Sequence, residues 1–199
     1  GAVRTVIKVV RPFNLSTIGQ YFIFYPHSDR FDISYDIDWK EKNIALKADY
    51  PVDVNAVKAT FDIQFGNLER TAHSNTTWDF AQFEVCGHKW ADLSDNSFGL
   101  SVLNDCKYGW TVKDGHIKPT LLRCATTPNH LQDRERHMFT FAVYAHSGAV
   151  SQSDVVNHGY SLNVPLYAKQ AAAHEGALAD SFSLIAADMD NICIETVKK

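Results

Sequence analysis

Residues 30–38 (RFDISYDID) alternate strictly between apolar and polar. Side chains two apart share a face of an extended chain. Phe31, Ile33, Tyr35 and Ile37 therefore face one way, and Arg30, Asp32, Ser34, Asp36 and Asp38 the other. A helix cannot gather such a pattern into one stripe, so this stretch is a half-buried strand. Its acidic outer face reads as solvated and as a guard against edge pairing. The same period returns in 58–65 (KATFDIQF), with Phe61, Ile63 and Phe65 on one side. Further strands are expected at 3–10, 21–25, 44–50, 83–90, 99–103, 108–112, 117–123 and 137–145, with weaker signals at 160–166 and 183–187 and a last strand at 192–197. Turns fall at Lys42-Asn43, Pro51-Val52-Asp53, Gly66-Asn67 and Asp114-Gly115, the last being the clearest hairpin signal. Only residues 167–180 (YAKQAAAHEGALAD) look helical, and Gly176 interrupts them.

About a dozen strands with at most one or two short helices imply an all-β fold of two packed sheets or a barrel. The length of 199 residues suits one domain, or two small ones, and supports a core without staples. Aromatic residues make up 12% of the chain, which fits a β-core and also a protein that stacks on sugar rings. Nineteen basic against 23 acidic residues give a net charge of −4, with no phosphate-binding footprint, so nucleic acid is not expected as a partner. No apolar run approaches a membrane span. The four cysteines, Cys86, Cys106, Cys124 and Cys193, form no CxxC pair and read as buried free thiols of a reducing compartment. Gly1-Ala2 reads as a cloning scar, and the chain ends suggest a piece of a larger protein.

Polar chemistry concentrates in residues 88–108 (HKWADLSDNSFGLSVLNDCKY). His88, Trp90 and Asp92 alternate, so they share a face if extended. Asn104, Asp105, Lys107 and Tyr108 cluster at the end of a second strand. An aromatic face beside carboxylate and amide groups is what a sugar site needs. The same residues could instead form a structural network of turn caps, with Trp90 in the core and Lys107 paired to Asp105. Cys86, His88 and Cys106 lack a complementary ligand pair, so no metal site is expected in this chain. His88 with Asp105 or Asp92 is a conceivable acid–base pair. The connection 71–81 (TAHSNTTWDFA) is either a functional loop or one pinned to the core by Trp78.

Longer motifs carry a resemblance. ATFDIQFG, the N-T-x-W-D connection, FEVCGHKWADLS and LNDCKYG, followed by LLRCATTPNHLQDRERHMFTFAVYAHSG and a closing ETVKK, resemble the C-terminal β-domain of class II α-mannosidases, glycoside hydrolase family 38, in its cytosolic and vacuolar branch with bacterial relatives. The resemblance implies a two-sheet supersandwich like galactose mutarotase, spanning 1–199 as one β-sandwich domain. It also implies a parent enzyme that hydrolyses α-mannosides with retention, using an Asp nucleophile and a zinc ion in an N-terminal catalytic domain that precedes a helical domain. Neither domain is in this chain, so no catalytic residue and no zinc ligand is assigned to it, and alone it is expected to be inactive. The family's β-domain packs on the catalytic domain and rims the active-site cleft. Trp90, Asp92, Asn104, Asp105, Lys107 and Tyr108 are then the residues expected to touch substrate or to orient the catalytic domain. The expected partners are those two domains and a mannose-containing oligosaccharide, with a cytoplasmic location. Two alternatives stay open. One is a stand-alone carbohydrate-binding module built on Trp78, Trp90 or Trp110; the other is a mutarotase-like enzyme.

Overall fold

The alternating stretches pair into two sheets in the computed structural model of the chain, which describes residues 3–173, 175–177, 179–189 and 191–198. In chain order the elements are β1 (Thr5–Phe13), β2 (Ser16–Phe24), β3 (Arg30–Asp38), β4 (Leu46–Lys47), β5 (Tyr50–Pro51), β6 (Lys58–Ile63), β7 (Gly66–Thr71), α1 (Thr77–Ala81), β8 (Val85–Cys86), β9 (Trp90–Ser94), β10 (Phe98–Asn104), β11 (Gly109–Lys113), β12 (His116–Leu122), β13 (Arg136–Ser147), a 3₁₀ turn (Val150–Gln152) and α2 (Val155–Asn163). The larger sheet runs β1-β2-β3-β13-β10-β9-β6-β7 and the smaller β4-β12-β11-β8, with β5 also on β12. Every strand pair is antiparallel. The expected all-β, two-sheet architecture with two short helices is what the chain adopts.

The period of two decides which side chains meet. Ile33, Tyr35 and Ile37 of β3, Leu93 of β9, Val102 of β10 and Phe139 and Phe141 of β13 pack with Trp110, Val112, Ile117 and Leu121 of the smaller sheet in one core. The opposite face of the larger sheet carries Trp90, Leu103, Ala142 and Tyr144, and Val155 of α2 covers them. Arg30 fastens that helix by donating to the His158 carbonyl at 2.9 Å and the Ser161 hydroxyl at 2.8 Å. The acidic face of β3 is therefore not simply solvated. Asp32 is buried and pairs with Arg30 at 2.9 Å, and Asp36 accepts two 2.7 Å bonds from Arg136.

The Asp114-Gly115 hairpin forms as expected, with both residues at positive φ, 51° and 77°. Other boundaries move. β1 and β2 make one long hairpin turning at Asn14, whose φ is 49°. The β6–β7 turn lies at Gln64-Phe65, not Gly66-Asn67, because pairing Phe61 with Leu68 sets a register in which Ile63 faces Gly66. The expected strand at 83–90 splits between sheets. Val85 and Cys86 pair with β11, and Trp90 pairs with Leu103. The crossing falls at Gly87, where an added Cβ would lie 3.0 Å from the Trp110 ring. Residues 155–163 are helical rather than part of a strand at 160–166, since a helix seals Trp90 and Tyr144.

The chain divides into two units, Gly1–Leu166 and Tyr167–Lys199. All described helices and strands lie in the first. The described residues of 167–180, 183–187 and 192–197 form neither the expected helix nor the expected strands. A helix of this length is marginal without packing, and an extended segment becomes a strand only against a partner edge. Gly1 and Ala2 lie outside the described residues.

Candidate functional site

Asp92 sits at the centre of a buried polar network on the outer face of the larger sheet. β9 places it beside β10, and β13 follows next in the sheet. One carboxylate oxygen accepts from Ser94 Oγ at 2.6 Å; the other accepts from Ser101 Oγ at 2.6 Å and lies 2.8 Å from His146 Nε2. The side chains of His146 and Asp92 are 3% and 1% exposed. Burial works against the imidazolium, but the bond to Asp92 and its charge outweigh this, and His146 titrates above its ordinary range. Gly99 makes the room, because a Cβ there would stand 2.4 Å from the His146 ring and from Ser94. An Asp–His pair of this kind could shuttle protons if a substrate reached it. Here α2 and the 3₁₀ turn lie over the face: Val150 donates its N–H to Ser94 Oγ at 3.2 Å, so the pair acts as internal architecture.

Trp90 shares that outer face with Asp92 and is 1% exposed. It is a core residue, and Trp110 at 0% is another. Neither offers the exposed sugar platform that the binding-module alternative requires. Asn104 is also buried and makes three side-chain bonds: its amide donates to the His88 carbonyl at 2.7 Å, and its side-chain oxygen accepts from the N–H groups of Cys106, at 3.0 Å, and Lys107. Asp105 accepts from the Thr140 N–H at 2.9 Å. Lys107 does not pair with Asp105; its ammonium lies 4.4 Å from the centre of the Phe139 ring. Tyr108 is 57% exposed and meets the His88 ring edge-on at 5.4 Å.

Four of the six expected residues, Asn104, Asp105, Lys107 and Tyr108, line one small cleft of about 100 Å³ with His88, Lys89, Cys106 and Asn163. Small-molecule sites start at roughly 300 Å³, so this cleft alone does not enclose a sugar. His88 and Asp105 share it without a hydrogen bond between them, and Asp92 is committed to His146, so the acid–base pairing considered from sequence is not formed. Local desolvation and Asp105 push the Cys106 thiol up to about 11, out of the range of a nucleophile at neutral pH.

A larger cleft of about 620 Å³ is lined by Trp90, Ser94, Asp95, Thr60 and Val155 among others. Both acidic groups in its lining are engaged, and Glu69 pairs with Lys58 at 2.7 Å. Asp95 accepts from the Ser97 hydroxyl and N–H and from the Phe98 and Asn55 N–H groups, which hold its carboxyl well below the usual range. Among the described residues no three His, Cys, Asp or Glu side chains stand where they could share a metal ion. The described donor residues thus do not fit a catalytic zinc. All four cysteines are free; Cys124 is buried, whereas Cys86, Cys106 and Cys193 are exposed, against the expectation that all are buried.

Sequence reading did not single out His146, which ends the apolar run of β13 and has no polar partner near it in sequence. It also left open the fate of Trp78, which is 83% exposed on α1 and pins nothing to the core.

Comparison with known proteins places these observations. Residues 1–131 match the family model of the glycosyl hydrolases family 38 C-terminal domain. The chain is 36% identical to α-mannosidase G of Dictyostelium discoideum over 205 aligned positions, covering 100% of this chain and 19% of that protein. It is 42% identical to human α-mannosidase 2C1 over 164 positions, 82% of this chain and 16% of that protein. The chain thus spans less than a fifth of these relatives. In structure it resembles an α-mannosidase from Enterococcus faecalis, with a TM-score of 0.75 at 21% identity over 82% of this chain and 20% of that one, a likeness of fold. No helix among the described residues is long and apolar enough to cross a membrane.

Proposed function

We propose a function from one premise: this chain belongs to the family of glycosyl hydrolase family 38 C-terminal domains. On this reading it is the non-catalytic β-sandwich domain, spanning 1–199, of a longer α-mannosidase that cleaves α-mannosides in mannose-containing oligosaccharides. The nucleophile and the zinc belong to a catalytic domain elsewhere in the parent, which this domain and a helical domain support. Four free cysteines fit a reducing, cytoplasmic setting.

One observation carries the reading. The motif-rich stretch is closed on itself: Asp92, Asn104 and Asp105 bond to serines, His146 and backbone, so few of its groups are left for chemistry. What stays accessible is a shallow rim of Asp105, Cys106 and Tyr108, edged by the half-buried His88 and Lys107. Tyr108 is the residue assigned to the rim of the parent's substrate cleft.

The test is Tyr108→Ala in the parent, assayed on p-nitrophenyl α-mannoside and on an α-mannobiose. A rim contact to an outer sugar predicts a KM for the disaccharide about tenfold higher, with kcat and the aryl substrate little changed. Equal kinetics on both substrates would remove Tyr108 from the cleft.

A further inference from the structure

The segment between β7 and β8 is built to hold aromatic rings outward. Trp78, Phe80 and Phe83 are 83%, 64% and 70% exposed, and α1, which carries two of them, buries no residue. Such a turn gains nothing from a core, yet it is fastened at several points. Asp79 accepts from Thr71 Oγ1 at 2.8 Å and Thr76 Oγ1 at 2.7 Å, and its N–H donates to Thr76 Oγ1 at 3.1 Å. Lys113 donates to the Asp79 carbonyl, and Thr111 Oγ1 donates to the Phe83 carbonyl at 2.7 Å. The polar atoms hold the loop to β7 and β11, and the rings are left to water. They expose on the order of 400 Å² of aromatic surface, the size of patch that marks an interaction site on a soluble protein.

We infer that Trp78, Phe80 and Phe83 form the knob by which this domain seats in an apolar recess of the rest of its own polypeptide. The inference rests on the reading of the chain as one part of a longer α-mannosidase. Two observations choose this occupant. The chain spans only 16–19% of its curated relatives in human and Dictyostelium, so a body several times larger would need a docking face here. A sugar fits the knob poorly. Phe80 and Phe83 meet edge-on, 5.8 Å apart with planes at 68°, and make no flat platform. Both oxygens of Asp79 are already taken by hydroxyls, and Glu84, next to Phe83, is drawn toward the smaller sheet by Lys47 and the Thr120 hydroxyl, so the carboxylates near the rings are engaged by the domain itself. Centrally buried aromatic anchors are the usual source of binding energy between protein surfaces.

Hydroxyl-radical footprinting of the full-length parent tests this, with each peptide referenced to the urea-unfolded protein. Seating predicts that Trp78 is oxidised about tenfold more slowly in the native parent than in the unfolded one. A native rate within a factor of about three of the unfolded rate overturns the inference, because an exposed Trp78 reacts at nearly the free rate. Protection that arises only on adding α-mannobiose also overturns it, in favour of a sugar platform. The parent's hydrolysis of p-nitrophenyl α-mannoside is measured on the same sample. A parent that cleaves but leaves Trp78 reactive defeats the knob alone, whereas a folded parent that cleaves no α-mannoside defeats the underlying reading.

Discussion

Trp78 and Trp90 stand in neighbouring motifs of one continuous stretch and have opposite fates. Trp90 is 1% exposed under Val155, while Trp78 is 83% exposed on a turn that buries nothing. The difference lies in what surrounds them. Around Trp90 a sheet face is sealed by a helix, and the Asp92 carboxylate beside it takes its partners inside, from Ser94, Ser101 and His146. Around Trp78 the polar groups fix the backbone and leave the ring free. Dense polar motif in this domain thus marks internal support, and the sparse aromatic loop marks the outward face.

The contrast breaks most readily at the two tryptophans. Trp90→Ala should cost about 3–5 kcal/mol in urea denaturation, enough to unfold much of the chain, whereas Trp78→Ala should stay within about 0.5 kcal/mol. Equal losses would erase the distinction. Asp92→Ala should follow at about 3 kcal/mol, because it strands a buried His146 and two hydroxyls, and Asp92→Asn should recover part of that loss. Asn104→Ala should cost roughly 1–3 kcal/mol, since the Cys106 and Lys107 N–H groups lose their acceptor. A neutral Asn104→Ala would mean that the cluster is looser than described.

The smallest effect is on pH. His146 titrates above 6.5 when folded, so the pair's contribution is full below that value and fades as pH rises through the folded value. The wild-type chain should therefore lose stability relative to His146→Gln as pH rises above about 6.5. A constant difference across that rise would show that His146 does not change charge on folding.

Much of the fold was legible in the sequence because the larger sheet buries one face of most of its strands. The 30–38 strand was read to the residue, and its inward set Ile33, Tyr35 and Ile37 is in the core. The Asp114-Gly115 turn carried its own chemistry. What failed depended on distant partners. Residues 83–90 looked like one strand, yet the chain changes sheets at Gly87 to fit the Trp110 ring. α2 was read partly as a strand because its fit over Trp90 and its tether to Arg30 come from residues far away in sequence. For the site, sequence found the stretch holding Trp90, Asp92 and Asn104 but not the His146 that partners Asp92. A pairing across 54 residues leaves no local period or motif.

The function proposed for this domain is to support and rim a catalytic site that lies elsewhere in its parent. Its most direct test is the release of p-nitrophenol from p-nitrophenyl α-mannoside, by the 199-residue chain and by its full-length parent in parallel. The account predicts turnover by the parent and none above buffer by the chain. Turnover by the purified chain would contradict it.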